Sequence, residues 1–119
     1  MEQRYIDALT EICGKSNVFY EMADIERYLY DETEEYVRPK ACEDCIVVRP
    51  GTYEEVSEIL KWANKELVPV IPRGGGTGAC GAAIPTEPSV IMSMERFRKI
   101  VEVDETNMMI TSQTGVTLA

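Results

Sequence analysis

Five of the eight residues from Gly74 to Gly81 are glycine. The run Pro72-Arg73-Gly74-Gly75-Gly76-Thr77-Gly78-Ala79-Cys80-Gly81 carries the strongest chemical content of the chain. Glycine removes the Cβ atoms that would keep a ligand away from the backbone. Successive N–H groups can then turn into one concavity and hold phosphate oxygens, even in an acidic protein. Thr77 adds a hydroxyl donor. Arg73, at a strand end, can pair with a phosphate or serve as a surface or ion-pair residue. Gly76-Thr77-Gly78-Ala79-Cys80-Gly81 satisfies the dinucleotide pattern G-x-G-x-x-G literally. That pattern needs a helix to begin at once, aimed at the pyrophosphate. Pro85 and Pro88 follow instead, with no helical apolar stripe before the next strand. A P-loop is also excluded, because no Gly-Lys-Ser/Thr follows. What remains is a glycine-rich loop joining two strands and holding a diphosphate by its backbone.

Other reactive groups are sparse. The chain has no histidine, the usual general base and metal ligand, so no catalytic residue and no metal site are assigned. Cys42-Glu43-Asp44-Cys45 is a lone C-x-x-C without a second pair, and zinc needs four ligands. A redox disulfide would open a helix, whereas Cys45 leads into a strand; two ordinary thiols are the simpler reading. Cys80 reads as small filler within the loop, and Asp31-Glu32-Thr33-Glu34-Glu35 as a solvated acidic stretch.

The elements around the loop follow from periodicity. Gln3 to Cys13 has Tyr5, Leu9 and Ile12 on one helical face, and Gly14 closes it. Residues 17–39 are polar and resist assignment, apart from a helical turn at Asp24 to Tyr30. Cys45-Ile46-Val47-Val48-Arg49 reads as a buried strand stopped by Pro50-Gly51. Thr52 and Glu55 have capping-box spacing. They open a helix to about Leu67 with Val56, Ile59, Leu60, Ala63 and Leu67 as its stripe and Trp62 partly buried. Val68 to Pro72 is the next strand. Strand, helix and strand make a βαβ unit with parallel strands and a right-handed crossover. Ser89 to Met94 is a third strand. Ile100 to Asp104 alternates as a half-buried strand, and Met108 to Thr114 returns as its hairpin partner. Met92, Met94, Met108 and Met109 read as strand packing residues.

A net charge of −9 over 119 residues argues against a nucleic-acid partner, whose phosphates need Lys and Arg. No stretch approaches the roughly 20 apolar residues that span a bilayer. The acidic N-terminus is no signal peptide, so a cytoplasmic protein is expected. The four cysteines fit that compartment as free thiols or a redox pair.

Residues 31–119 resemble a known family. Pro72 to Gly78 is similar to the pyrophosphate loop of FAD-linked oxidases with the p-cresol methylhydroxylase/vanillyl-alcohol oxidase fold. Ile46 to Pro50, Thr52 to Val56 and Val68 to Pro72 resemble that family's first strand, crossover helix and second strand. Gly81-Ala82, then Val90 to Met94, Phe97 and Ile100, follow in its order, and Gly115-Val116 resembles the segment that approaches the flavin ring. The reductase of cell-wall synthesis with this fold ends its loop in Gly-Ser-Asn, absent here, which favours the glycolate oxidase/D-lactate dehydrogenase branch.

The resemblance implies an α+β fold: a helical N-terminal segment (1–40), then a βαβ unit with added strands (41–119), truncated. This would be the first subdomain of a p-cresol methylhydroxylase-type FAD-binding domain. It implies FAD as cofactor, bound by Arg73, Gly74, Gly75, Gly76, Thr77 and Gly78, with Gly81 and Ala82 lining the same channel. The parent enzyme would oxidise a D-2-hydroxy acid and pass electrons to an acceptor protein or quinone. Its partners would be the remainder of the flavoenzyme or a complementary chain, or a second copy. The alternative is a stand-alone nucleotide-binding or partner-binding module without activity.

Overall fold

A computed structural model describes residues 1–118; Ala119, the last residue of the expected 41–119 segment, lies outside the described residues. The chain is α+β. Helix α1 (Gln3–Cys13) ends where Gly14 takes φ +86° and its N–H donates to Thr10 O at 2.8 Å. Strand β1 (Val18–Phe19) follows, then a one-turn helix α2 (Met22–Ile25) continued by a 3-10 turn over Glu26–Tyr28. The helical turn read at Asp24 to Tyr30 is therefore present, but β1 was hidden by its two-residue length.

Strand β2 (Ile46–Val48) leads through Pro50 and Gly51 into α3 (Tyr53–Glu66). The Thr52 hydroxyl accepts from Glu55 N at 3.1 Å and Glu55 Oε2 accepts from Thr52 N at 3.1 Å, so the capping box forms as its spacing predicts. Strand β3 (Val70–Arg73) precedes the glycine run and β4 (Val90–Ser93) follows it. The hairpin β5 (Ile100–Asp104) and β6 (Met109–Ser112) completes the described chain.

The four-stranded sheet has the order β1-β2-β4-β3. β2 and β3 are parallel, but β4 lies between them and pairs in parallel with both, in registers Val47↔Ile91 and Ile71↔Ile91. β1 caps one edge by antiparallel pairing with β2. β3 is the other edge, which is where a strand can carry Pro72.

Alternate side chains divide between two cores. Ile46, Val48, Val90 and Met92 join Leu9, Cys13, Val18 and Ile59 beneath α1 and α3. Val47 and Ile91 point the other way, into Ile25, Tyr28, Leu29, Ala41, Cys45 and Ile84. Tyr5 of α1 meets Trp62 of α3 edge-on with ring centroids 5.3 Å apart. The N-terminal segment is thus built into both faces of the sheet.

Three expectations need correction. In α3 the buried positions are Ile59 and Ala63, with Val56 partly covered; Leu60 and Leu67 face outward, 46% and 87% exposed. Leu67 is the left-handed C-cap rather than a stripe residue, with φ +57°. The hairpin is not half-buried: β5 has only Asp104 partly covered, and β6 is exposed throughout. Met108 sits in the turn at φ +53°, 90% exposed, rather than on a strand.

Candidate functional site

The glycine run leaves the carboxyl end of β3 beside the carboxyl ends of its parallel neighbours, the position where parallel sheets receive ligands. Gly74, Gly75, Thr77, Gly78 and Ala82 are exposed, and Gly76 and Gly81 partly so. A cavity of about 600 Å³ opens at this end. Arg73, Gly74 and Gly75 form one wall, Gly115, Val116 and Thr117 another, and Arg27, Tyr28, Ser93, Glu95 and Arg98 the remainder. The structure therefore brings Gly115-Val116 to the first part of the loop. It does not bring Gly76, Thr77, Gly78, Gly81 or Ala82 into that cavity. Gly78 and Gly81 lie instead against the N-terminal segment: Gly78 O accepts from Glu32 N at 2.9 Å, and a Cβ on Gly81 would stand 3.8 Å from Pro39 Cδ.

The glycines separate by what requires them. Gly76 has φ +71°, and a Cβ there would collide with the Arg73 guanidinium, 2.6 Å from Cζ. Gly81 has φ +79°. A Cβ on Gly115 would run into the Met94 and Phe97 carbonyl oxygens, the latter at 2.6 Å. These three are demanded by the chain's own path. Gly75 and Gly78 are not: a Cβ would meet nothing closer than Thr117 Cγ2 at 3.6 Å or Asp31 Oδ2 at 3.8 Å, ordinary contacts. The fold has room for side chains at Gly75 and Gly78, so neither glycine is required by the chain's own packing.

Polar side chains at the cavity wall were missed by sequence reading. Arg27 Nη2 donates to the Tyr28 hydroxyl at 2.6 Å, which donates to Glu95 Oε1 at 2.8 Å, and Arg49 Nη1 reaches the same oxygen at 3.4 Å. Burial, then the bond to Glu95, pushes the Tyr28 phenol above its ordinary value. Neither spacing nor composition marks this chain, because its members come from three separate stretches of sequence. Arg73 lies with its fork beneath Gly76 and spends it on backbone carbonyls: Nη1 donates to Tyr28 O at 3.1 Å and Nη2 to Arg27 O at 3.3 Å. Burial lowers its pKa, while the nearby Asp31 carboxylate works the other way.

All four cysteines are free thiols, with Cys13 and Cys45 buried and Cys80 exposed. Cys45 Sγ donates to Cys42 O at 3.2 Å. Among the described residues no cluster of His, Cys, Asp and Glu could hold a metal ion, and no helix is long and apolar enough to cross a membrane.

A parallel sheet with an exposed glycine loop at its carboxyl end, backed by a second glycine segment, defines an α+β nucleotide-diphosphate-binding protein. The FAD binding domain family matches residues 45–119, and the chain belongs to that family, whose cofactor is FAD. The chain is 46% identical over 93 residues to a D-lactate dehydrogenase of Archaeoglobus fulgidus, an alignment covering 78% of this chain and 21% of that protein. It is 33% identical over 110 residues to the glycolate oxidase subunit GlcD of Bacillus subtilis, covering 92% of this chain and 23% of the relative. It therefore spans about a fifth to a quarter of these relatives' length. Among solved structures, an alkyldihydroxyacetonephosphate synthase superposes with TM-score 0.80 at 22% identity over 98% of this chain and 23% of its own. A p-cresol methylhydroxylase superposes with TM-score 0.76 at 21% identity, covering 96% and 22%. The expected fold, that of the p-cresol methylhydroxylase-type FAD-binding domain, is the one observed.

Proposed function

We propose that this chain supplies the FAD diphosphate cradle of an FAD-linked oxidoreductase acting on a 2-hydroxy acid. The observation that carries the reading is the pair of glycines, Gly75 and Gly78, that the fold does not itself require. Gly74 to Gly78 offer backbone N–H groups and the Thr77 hydroxyl to the diphosphate, with Arg73 at their base. This reading carries the channel beyond the cavity to Gly81 and Ala82, while Gly115-Val116 close the cavity opposite Gly74 and Gly75. Residues 41–119 act as the first half of the FAD-binding domain, on which the N-terminal segment 1–40 is packed.

The substrate class rests on relatives named for lactate, glycolate and 2-hydroxyglutarate, the last a D-2-hydroxyglutarate dehydrogenase of Xanthomonas citri at 34% identity over 82% of this chain. When bound, FAD supplies the two-electron acceptor for oxidising such an acid to its 2-oxo acid. An acceptor protein or quinone then takes the electrons. The chain's own work is to bind and orient; substrate groups come from the rest of the flavoenzyme. That remainder is seated on the hairpin, where Val101, Val103 and Ile110 are 57%, 59% and 66% exposed.

Titration of the chain with FAD, followed by flavin fluorescence, tests the cradle. Saturable binding is expected, and Gly75→Val should abolish it while leaving the thermal midpoint of the free chain near its original value. Absence of saturable binding, or full binding by Gly75→Val, would sink this reading.

A further inference from the structure

We propose that Arg73 is a positioning residue, which clamps the glycine loop to residues 27–33 and makes that N-terminal stretch part of the FAD site. The proposal rests on the cradle reading above and refines it. Arg73 ends β3, and its carbonyl accepts from Met94 N at 2.9 Å, so its backbone is fixed by the sheet. Both terminal nitrogens of its guanidinium then donate to backbone carbonyls, Tyr28 O at 3.1 Å and Arg27 O at 3.3 Å. The loop folds back over the other side, where Gly76 at φ +71° comes so close that even a methyl group could not be added. The guanidinium is thus held between the loop's own turn and the 3-10 turn over Glu26–Tyr28.

A second tie holds the far shoulder. Glu32 N donates to Gly78 O at 2.9 Å, and Asp31 Oδ2 stands 3.8 Å from where a Gly78 Cβ would be. The Asp31 carboxylate also faces Arg73 electrostatically, so the arginine charge is partly balanced from within the chain. Residues 74–77 are the span left between the two ties. A planar fork spent on two carbonyls and backed by a carboxylate fixes the shape of the loop. A diphosphate ligand would point the fork outward. The family match begins at residue 45, so nothing in it includes residues 27–33.

Arginine and lysine differ here in a testable way, because the planar fork reaches the two carbonyls from two separate nitrogens, a geometry that a single ammonium nitrogen does not reproduce. Arg73→Lys and Arg73→Met in the full 119-residue chain should weaken FAD binding by similar factors, each roughly tenfold or more, as expected for two lost hydrogen bonds. Both should speed amide hydrogen exchange across residues 27–33 in the absence of FAD. The dependence of affinity on ionic strength should stay that of the unmodified chain. Gly75→Val serves as the control: FAD binding lost, exchange at 27–33 unchanged. The clamp is overturned if Arg73→Lys binds FAD normally with unaltered exchange, while Arg73→Met loses affinity together with salt dependence. If Arg73→Met does not fold, Arg73→Lys alone decides, since a charge role would be rescued and a clamp would not. If the unmodified chain fails to bind FAD, the cradle reading falls, and exchange at 27–33 in the two Arg73 variants still decides the clamp.

Discussion

In β4, Val90 and Met92 lie beneath α1 and α3 while Ile91 is covered on the opposite face by Ile25, Tyr28 and Leu29. In β6, Met109 and Ile110 have the same kind of side chain and are 59% and 66% exposed. Both strands are β-branched or flexible apolar segments with regular partners. The difference lies in what covers them. β4 sits in the middle of a sheet with a layer on each side, so each of its residues removes apolar area from water. The hairpin is held by its own ladder, Val103↔Ile110 among its pairs, and by Gln113, which donates to the Tyr53 hydroxyl at 3.0 Å. An isolated hairpin of this kind is marginal in water unless something packs on it. Strand formation and strand burial are separate properties, and here one chain displays them apart.

The largest effect that tests this contrast is Ile91→Ala. Ile91 is fully buried, and its loss leaves a cavity between the second core and the sheet. Destabilisation of about 2–5 kcal/mol is expected, read from urea unfolding midpoints. A cost near zero would mean that the segment from Ile25 to Ala41 does not cover the sheet in solution.

That covering segment also marks where the sequence stopped being legible. Helix α3 was readable because a capping box and a helical stripe are local signals, and β2 and β4 because short apolar runs end at Pro50 and begin at Ser89. The glycine run was legible as an exposed loop between two strands, because five glycines in eight residues and two following prolines are local signals. Its support was not. Arg73 reaches the carbonyls of Arg27 and Tyr28, 46 and 45 positions away, and backbone carbonyls carry no side-chain signature. The position of β4 between β2 and β3 was likewise unreadable, since three parallel strands can be ordered in several ways. In the hairpin the alternation of Ile100 to Asp104 was read as half-burial; alternation shows which faces differ, and a covering layer must come from elsewhere.

A smaller effect tests the two covered faces of the sheet by pH. Burial pushes the Cys13 and Cys45 thiols from 9.0 up to about 11, one in each core. A raised folded-state pKa means that the unfolded chain releases the proton first. Stability is therefore complete below pH 9 and falls as pH rises toward 11. Thermal unfolding under reducing conditions between pH 8 and 11 should show the decline, and Cys13→Ala with Cys45→Ala should reduce it, leaving the part that the raised Tyr28 phenol contributes. An unchanged slope in the double variant would show that the two cores admit water at those positions.

The smallest effect belongs to the hairpin. Ile110→Thr keeps the β-branched shape that suits a strand and removes apolar surface that water already reaches. In this chain it should change stability by no more than about 0.5 kcal/mol, measured in the same urea experiment as Ile91→Ala. A cost approaching that of Ile91→Ala would mean that the hairpin is covered in solution, and dependence of the midpoint on protein concentration would identify a second copy as the cover. Near-neutrality here, joined to a clear penalty for Ile110→Thr when the rest of the flavoenzyme is present, would show that β5 and β6 are strands whose burial is supplied by that remainder. The contrast with β4 would then be one of timing in assembly, since β4 receives both its layers from residues 9–84 of the same chain.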